Sequence, residues 1–386
     1  MASMQNADYS GSKEWLSSYC KNILSEIDIQ KEKSQDDGQR GIILTVYHDK
    51  CSTLIEEITT LDPEALSFVV LSNALQKIAQ LVLDFTYVEE CCLVDQDFLL
   101  QAAYERVTYI IETLSSVESL TIKAAPDNNP RDVLSPSLAE CIHWRKGALL
   151  YMYCHTVNSR CSREQLPVHF LQCLQTGSKH LVAMLSTRSL PLWLNIASDR
   201  MSEQEMAGAG TSDDGPDLLS QGIYSDTHLL ALMYLGEMCY WYAQLSQPAV
   251  CRRASGVDLG VRDNTASSDT SPASGDVQPQ PQQRDTTGTT SSSVRGLGDT
   301  QTSGISPDST AGDDNKATGP QPSKLGIVTF DPTHSSLEQG QSLDMLRVGQ
   351  LCLENYVTAA KGPMSAGGWN TDRAEEILQY FGNLSI

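Results

Sequence analysis

Apolar residues recur along this chain at three- and four-residue spacings, the period of helices with one buried face, and an alternating strand pattern is almost absent. Two segments go beyond one-sided amphipathicity. LAECIHWRKGALLYMYCHTV (Leu138 to Val157) and SDTHLLALMYLGEMCYWYAQL (Ser225 to Leu245) are apolar almost all the way round. Such a helix belongs inside a larger body or in a membrane. Glu237 interrupts the second, which comes closest to a membrane span, and neither reaches the roughly 18 uninterrupted apolar residues a span needs. Both are therefore expected to be central helices of a soluble body.

Amphipathic helices are predicted around them. Ser12 to Glu32 repeats Trp15, Tyr19, Ile23 and Ile27, and Ile42 to Thr60 carries Ile43, Tyr47, Leu54, Ile55 and Ile58 on one side. Asp62 and Pro63 read as the cap and first residue of a third helix, running to about Glu90 through Phe68, Leu71, Leu75, Ile78, Val82 and Phe85. A fourth covers Phe98 to Ser116, with Leu100, Ala103, Val107, Ile111 and Leu114 in register, before a loop at TIKAAPDNNPRDVLSP. Ser135 and Pro136 open the first central helix. There Glu140, His143 and Lys146 form a narrow polar stripe that fades after Gly147, so the C-terminal half is expected to be the more buried. Leu166 to Thr187 follows with Phe170, Leu171, Leu174, Leu181 and Leu185. A flexible stretch at MSEQEMAGAGTSDDGPD precedes Ser225, the expected cap of the second central helix.

Composition changes near Pro248. From 248 to 324 the chain is Ser, Thr, Gly, Asp, Pro and Gln, too poor in apolar residues to offset the entropy of ordering, and a disordered insert is expected. Ser271 and Ser306, each before proline, suit phosphorylation as serines in such tracts do. GIVTF (326 to 330) is a short strand candidate. Residues 325–386 then return to helix, through Leu343, Leu346, Leu351, Leu353, Tyr356 and Val357, and through Ala374, Ile377, Leu378 and Phe381 after a cap at Asn370 or Thr371. The expected organisation is an all-α body built from 1–247 and 325–386, interrupted by the insert. Trp144, Gly147, Ala148 and Tyr151 are similar in spacing to the first helix of a tetratricopeptide repeat, but no second copy appears at a fixed period. An irregular multi-helix bundle and a TPR-like helical stack both fit.

The formal net charge of −21 resides mainly on the helical body and disfavours nucleic acid and anionic lipid, with no basic patch to reverse it. No direct membrane insertion is expected. The eleven cysteines sit largely on apolar helical stretches, where free Cys behaves as a small hydrophobe, and the polar opening MASMQNADYSGSKEW is unlike a signal segment. A reducing compartment, the cytosol or nucleus, is expected. The pair Cys91–Cys92 and the cluster Cys154, His155 and Cys161 lack zinc-ligand spacing. GAGTSDDG follows no strand and has no lysine, so it reads as a loop rather than a phosphate cradle. No metal and no cofactor is expected. Glu237 is the isolated charge in a long apolar helix; either it pairs with Arg145 or Lys146, the nearest basic residues on the other central helix, or it points out of a groove. Trp144, Tyr151, Glu237 and Trp241 are assigned to the structural core.

Four blocks, VLDFTYVEECCLVDQDF, LAECIHWRKGALLYMYCH, LLSQGIYSDTHLLALMYLGEMCYW and GWNTDRAEEILQYF, together resemble one small animal protein family, named for its association with the Mon–Ccz complex and a late-endosomal Rab GTPase. They occur in the family's order and span about Leu81 to Phe381. The insert is longer than expected of the family. The resemblance implies a cytosolic adaptor without catalytic activity. It implies binding to the Rab, with the GDP form favoured, and to the Mon–Ccz nucleotide-exchange complex. Support of Rab stability and recruitment to damaged mitochondria in mitophagy are implied as well. It carries over no site residues. Contact residues are expected on exposed faces flanking the central helices. The candidates are Tyr87, Glu89 and Glu90 at one helix end, and Tyr224 and Asp226 at another. A helical structural subunit, or an enzyme using a cysteine or Glu237, is the competing expectation.

Overall fold

A computed structural model describes residues 11–34, 38–62, 66–99, 102–126, 128, 133–188, 223–246 and 343–384. The insert 248–324, the stretch 201–217, the strand candidate at 326–330, Pro63 and Leu100 lie outside the described residues. Within them the fold is all helical: α1 (Ser12–Lys33), α2 (Gly38–Thr60), α3 (Phe68–Asp95), α4 (Ala103–Ala124), α5 (Pro136–Arg160), α6 (Phe170–Leu185), α7 (Asp226–Ser246), α8 (Met345–Lys361) and α9 (Asp372–Leu384). Short 3₁₀ turns occupy Arg163–Gln165 and Ser365–Gly367.

Local chemistry sets the boundaries, in places against expectation. Helix α5 opens as its sequence dictates: Ser135 accepts from the Leu138 N–H and Pro136 stands in the first turn. Helix α3 does not begin at Asp62. Its cap is Ser67, whose hydroxyl accepts from the Val70 N–H. It also runs past Glu90 to Asp95, closing in a reversal where Phe98 N–H reaches the Leu93 carbonyl at 3.0 Å and Asp97 N–H the Val94 carbonyl at 2.8 Å. Asp97 and Phe98 take positive φ there, so α4 starts at Ala103 rather than Phe98. It continues to Ala124, because the helix-breaking signal arrives only with Pro126. Asn370 Oδ1 accepts from Asp372 N–H at 2.8 Å and starts α9, while Asp344 caps α8 through the Arg347 N–H.

The first four helices pack on one another, α1 on α2, α2 on α3, α3 on α4 and α4 back on α1. The last five form a second layer in which α6 lies on α5, α7 on α6, α8 on α7, and α9 on α8 and α7. Helix α5 joins the layers by touching both α3 and α4. The buried faces are rotated from the expected stripes in α1 and α2. Leu16, Cys20, Ile23 and Ile27 face inward while Trp15 lies outside under Lys123. In α2 the interior takes Leu44, Cys51, Leu54 and Ile58, leaving Ile43 and Tyr47 at the margin. Burial in α5 peaks in its middle, at Arg145 to Leu150, and not in its C-terminal half.

Helix α8 approaches α7 closely enough that a side-chain carbon on Gly349 would stand 2.5 Å from Cys239 Cβ and 3.0 Å from the Phe381 ring. A Cβ cannot swing aside as a long side chain can. Gly349→Ala is expected to destabilise the fold by about 1–3 kcal/mol through overpacking, despite alanine's helix preference of about 1 kcal/mol over glycine. A lowered thermal midpoint by circular dichroism would register it, whereas an unchanged or raised midpoint would contradict this close approach.

Candidate interaction surface

Two adjacent bases in α5 hold the layers together. Arg145 donates to Glu90 Oε2 of α3 from Nε at 2.8 Å and from Nη2 at 2.5 Å, and also to the Leu83 carbonyl. Lys146, 1% exposed, donates to Glu118 of α4 at 2.7 Å and to Ser115 Oγ at 3.3 Å. Glu118 is shared with His143, at 3.4 Å. Glu89 lies one residue on from the Tyr87–Val88 step and turns the other way, receiving Arg40 of α2 at 2.7 Å and Arg106 Nε of α4 at 2.6 Å. Glu89 and Glu90 are thus not exposed at a helix end. Both are buried because α3 continues past them and basic residues on three helices converge there. Burial raises the Glu90 carboxyl above its usual range, with Arg145 pulling it back.

Glu237 does not pair with Arg145 or Lys146, whose partners lie in the first layer. It accepts from the Tyr151 hydroxyl of α5 and from Arg373 Nε of α9 at 3.4 Å. Burial and then Glu237 hold the Tyr151 hydroxyl protonated, so it serves as a donor. Above this contact runs a ladder of rings from α5 and α7. Trp144 stacks on Tyr234 at 5.7 Å, Tyr234 on Tyr151 at 3.8 Å and Tyr151 on Trp241 at 5.6 Å. Spacing of seven residues along each helix, 144 to 151 and 234 to 241, brings the rings to one face. Among thiols, burial pushes Cys51 up to about 11 and Cys239 up to about 12, away from thiolate reactivity.

At the start of α7, Tyr224 is half-buried beneath the Arg188 guanidinium, 5.1 Å from its ring, and edge-on to His228. Arg188 is gripped by Glu140, and Ser225 Oγ lies 3.0 Å from His228 Nδ1. Asp226 is exposed in the first turn of α7, where a carboxylate favours the helix dipole.

Tyr87 is 57% exposed on α3. Its ring lies 5.5 Å from the Arg145 guanidinium. Across from it runs the outer side of α2. Lys50–Asp84 at 3.3 Å and Lys77–Glu57 at 2.6 Å fix α2 and α3 antiparallel, and that register sets Tyr47 opposite Tyr87 and Ile43 opposite Cys91. Lys50 lies over the Tyr47 ring at 5.3 Å. Ile42, Val46 and Val94 extend the apolar ground on either side, at 69%, 48% and 40% exposure. Sequence periodicity missed this patch by assigning Ile43 to the core. The signal was present, since Ile42, Ile43, Val46 and Tyr47 span too wide an arc for one helix face to bury.

The sequence profile of the family described as RAB7A-interacting MON1-CCZ1 complex subunit 1 matches residues 47–275 and 318–382. The chain belongs to this family. A Homo sapiens relative of that name is 31% identical over 335 residues, covering 86% of this chain and 85% of its own. A Danio rerio relative is 35% identical over 214 residues, 55% of this chain and 70% of that one, and a Mus musculus relative is 29% identical over 333. No solved structure matches the chain. The family match takes in α3 to α7 and reaches into α9. It therefore contains both polar junctions, Glu90–Arg145 and Tyr151–Glu237–Arg373, together with Tyr47, Tyr87, Cys91 and Val94, while Ile42, Ile43 and Val46 precede it. Helix α3 is also long and apolar enough, by length and composition, to cross a membrane, which α7 was expected to approach more nearly. Half of its most apolar stretch is buried, and its Glu89 and Glu90 bind three neighbouring helices, as suits the central helix of this fold.

Proposed function

We propose that the chain is a non-catalytic adaptor that binds a late-endosomal Rab GTPase, with the GDP form favoured, and the Mon–Ccz exchange complex. The observation that carries this reading is the alignment with the human RAB7A-interacting MON1-CCZ1 complex subunit over 86% of the chain. The chemistry of the matched segments supports it. Their buried acids and bases pair with one another and build the scaffold, while their exposed aromatic and apolar side chains provide a recognition surface of the kind protein partners use. In this reading the adaptor works in the cytosol, supports Rab stability and joins the Rab at damaged mitochondria in mitophagy.

The test uses the purified full-length chain, immobilised, against the Rab loaded with GDP or a non-hydrolysable GTP analogue, and against purified Mon–Ccz complex. Stronger retention of GDP-loaded Rab and capture of the complex are expected. Negligible binding of both nucleotide forms, together with no association with the complex, would sink the reading.

A further inference from the structure

Resting on that reading, we infer that the α2–α3 face centred on Tyr87 is the surface that docks the Rab, through a contact face on the GTPase with an apolar centre and a basic rim. Three features of the patch point there. Its apolar side chains come from two helices in fixed register, Ile43, Val46 and Tyr47 from α2 and Tyr87, Cys91 and Val94 from α3. An apolar group of this extent, rimmed by polar residues, marks an interaction site. Tyr87 is also pre-set. Arg145 holds its ring from one side, and Arg145 is itself locked by Glu90 and the Leu83 carbonyl, so little freedom is lost when a partner covers it.

Charge then selects the partner. Asp49 and Asp95 are exposed at the margins, while Asp84 and Lys50 between the helices pair with and offset each other. Arg40 and Arg145 are committed to Glu89 and Glu90 beneath the surface. An acidic rim on a chain of net charge −21 attracts a basic-rimmed face and hastens its encounter. The patch covers about one turn of α2 and two turns of α3, roughly 6 Å and 10 Å along the respective axes. That suits one anchor cluster on a single compact domain, such as a small GTPase, better than an extended contact with a multi-subunit assembly.

The experiment measures affinity of full-length variants for GDP-loaded Rab by biolayer interferometry, with Mon–Ccz complex and self-association, by sedimentation, as parallel arms. Tyr87→Ala is expected to weaken Rab binding about 30-fold, the loss carried by a central aromatic anchor. Val46→Asp, remote from Arg145 and so independent of any disturbance there, is expected to weaken it at least about tenfold, with circular dichroism unchanged. Asp49→Lys with Asp95→Lys should slow association and flatten its salt dependence. Trp15→Ala, which removes an exposed aromatic on α1, should leave binding unaltered. Wild-type binding that Tyr87→Ala and Val46→Asp both leave intact overturns the inference and spares the adaptor reading. So does a loss confined to the exchange complex or to self-association. Failure of the wild-type chain to bind Rab or complex removes the adaptor reading itself, and this inference with it.

Discussion

Arg145→Ala is expected to destabilise the fold by about 3–5 kcal/mol, the cost of leaving a buried charge without its partner. Glu90 would remain in the interior with its carboxyl facing the space the guanidinium left, and the Leu83 carbonyl would lose a donor. Since α5 is the helix that joins the two layers, chemical denaturation should show the loss in the main unfolding transition. The deficit should also depend on pH. Burial raises the Glu90 carboxyl and Arg145 opposes that rise. A carboxyl whose folded pKa lies above its unfolded one favours folding at low pH, and that contribution disappears as pH climbs through the folded value. Without Arg145 the upward shift grows. The variant should therefore suffer most at pH 8 and less at pH 5. Replacing the pair together, Glu90→Leu with Arg145→Met, should recover much of the stability, because neither charge is then stranded. A single variant as stable as wild type at pH 8 would show that the junction bears no such weight.

That junction also marks where reading the sequence stopped short. Helical content followed from apolar periodicity, and the Ser135–Pro136 start of α5 from capping chemistry that acts within four residues. Partnerships between helices did not follow. Arg145 and Lys146 sit side by side in an apolar segment, which demands two acids, yet nothing in spacing says that Glu90 and Glu118 supply them rather than Glu237. The nearest acid on the other central helix was a reasonable expectation. It fails because α5 turns its basic side toward α3 and α4, and its aromatic side toward α7. Once Arg145 is taken, Glu237 finds Arg373, 136 residues further along.

The candidate surface was legible in one residue and obscured in the others. Tyr87 was expected outside and is outside. Glu89 and Glu90 were expected beside it and are inside, because a carboxylate follows its partner rather than its polarity. The helix register explains the rest: positions 89 and 90 fall about 200° and 300° round the helix from 87, on the side facing α4 and α5. The four blocks carrying the family resemblance contain residues from both junctions, so the segments that identify the chain are largely those that hold it together.

Phe381→Ala tests the other end of that assembly and should also remove about 3–5 kcal/mol. Phe381 is 2% exposed, its ring edge-on to Tyr240 and close against Gly349, and with Ala374 and Ile377 it forms the buried stripe of α9. Only 13 residues long, α9 owes its helical state to docking, since an isolated helix of that length is marginal in water. Truncating the ring should free α9 before the remainder unfolds, and hydrogen exchange would show this as faster exchange in α9 and the adjoining part of α7, with α1 to α4 still protected. Release of α9 carries Arg373 away from Glu237, leaving that buried carboxyl with Tyr151 alone. Arg373→Ala should therefore add little in the Phe381→Ala background, although by itself it exposes the same unpaired acid. Full additivity of the two substitutions would mean that Phe381 and Arg373 act independently, and that α9 is not the element that completes the Glu237 site.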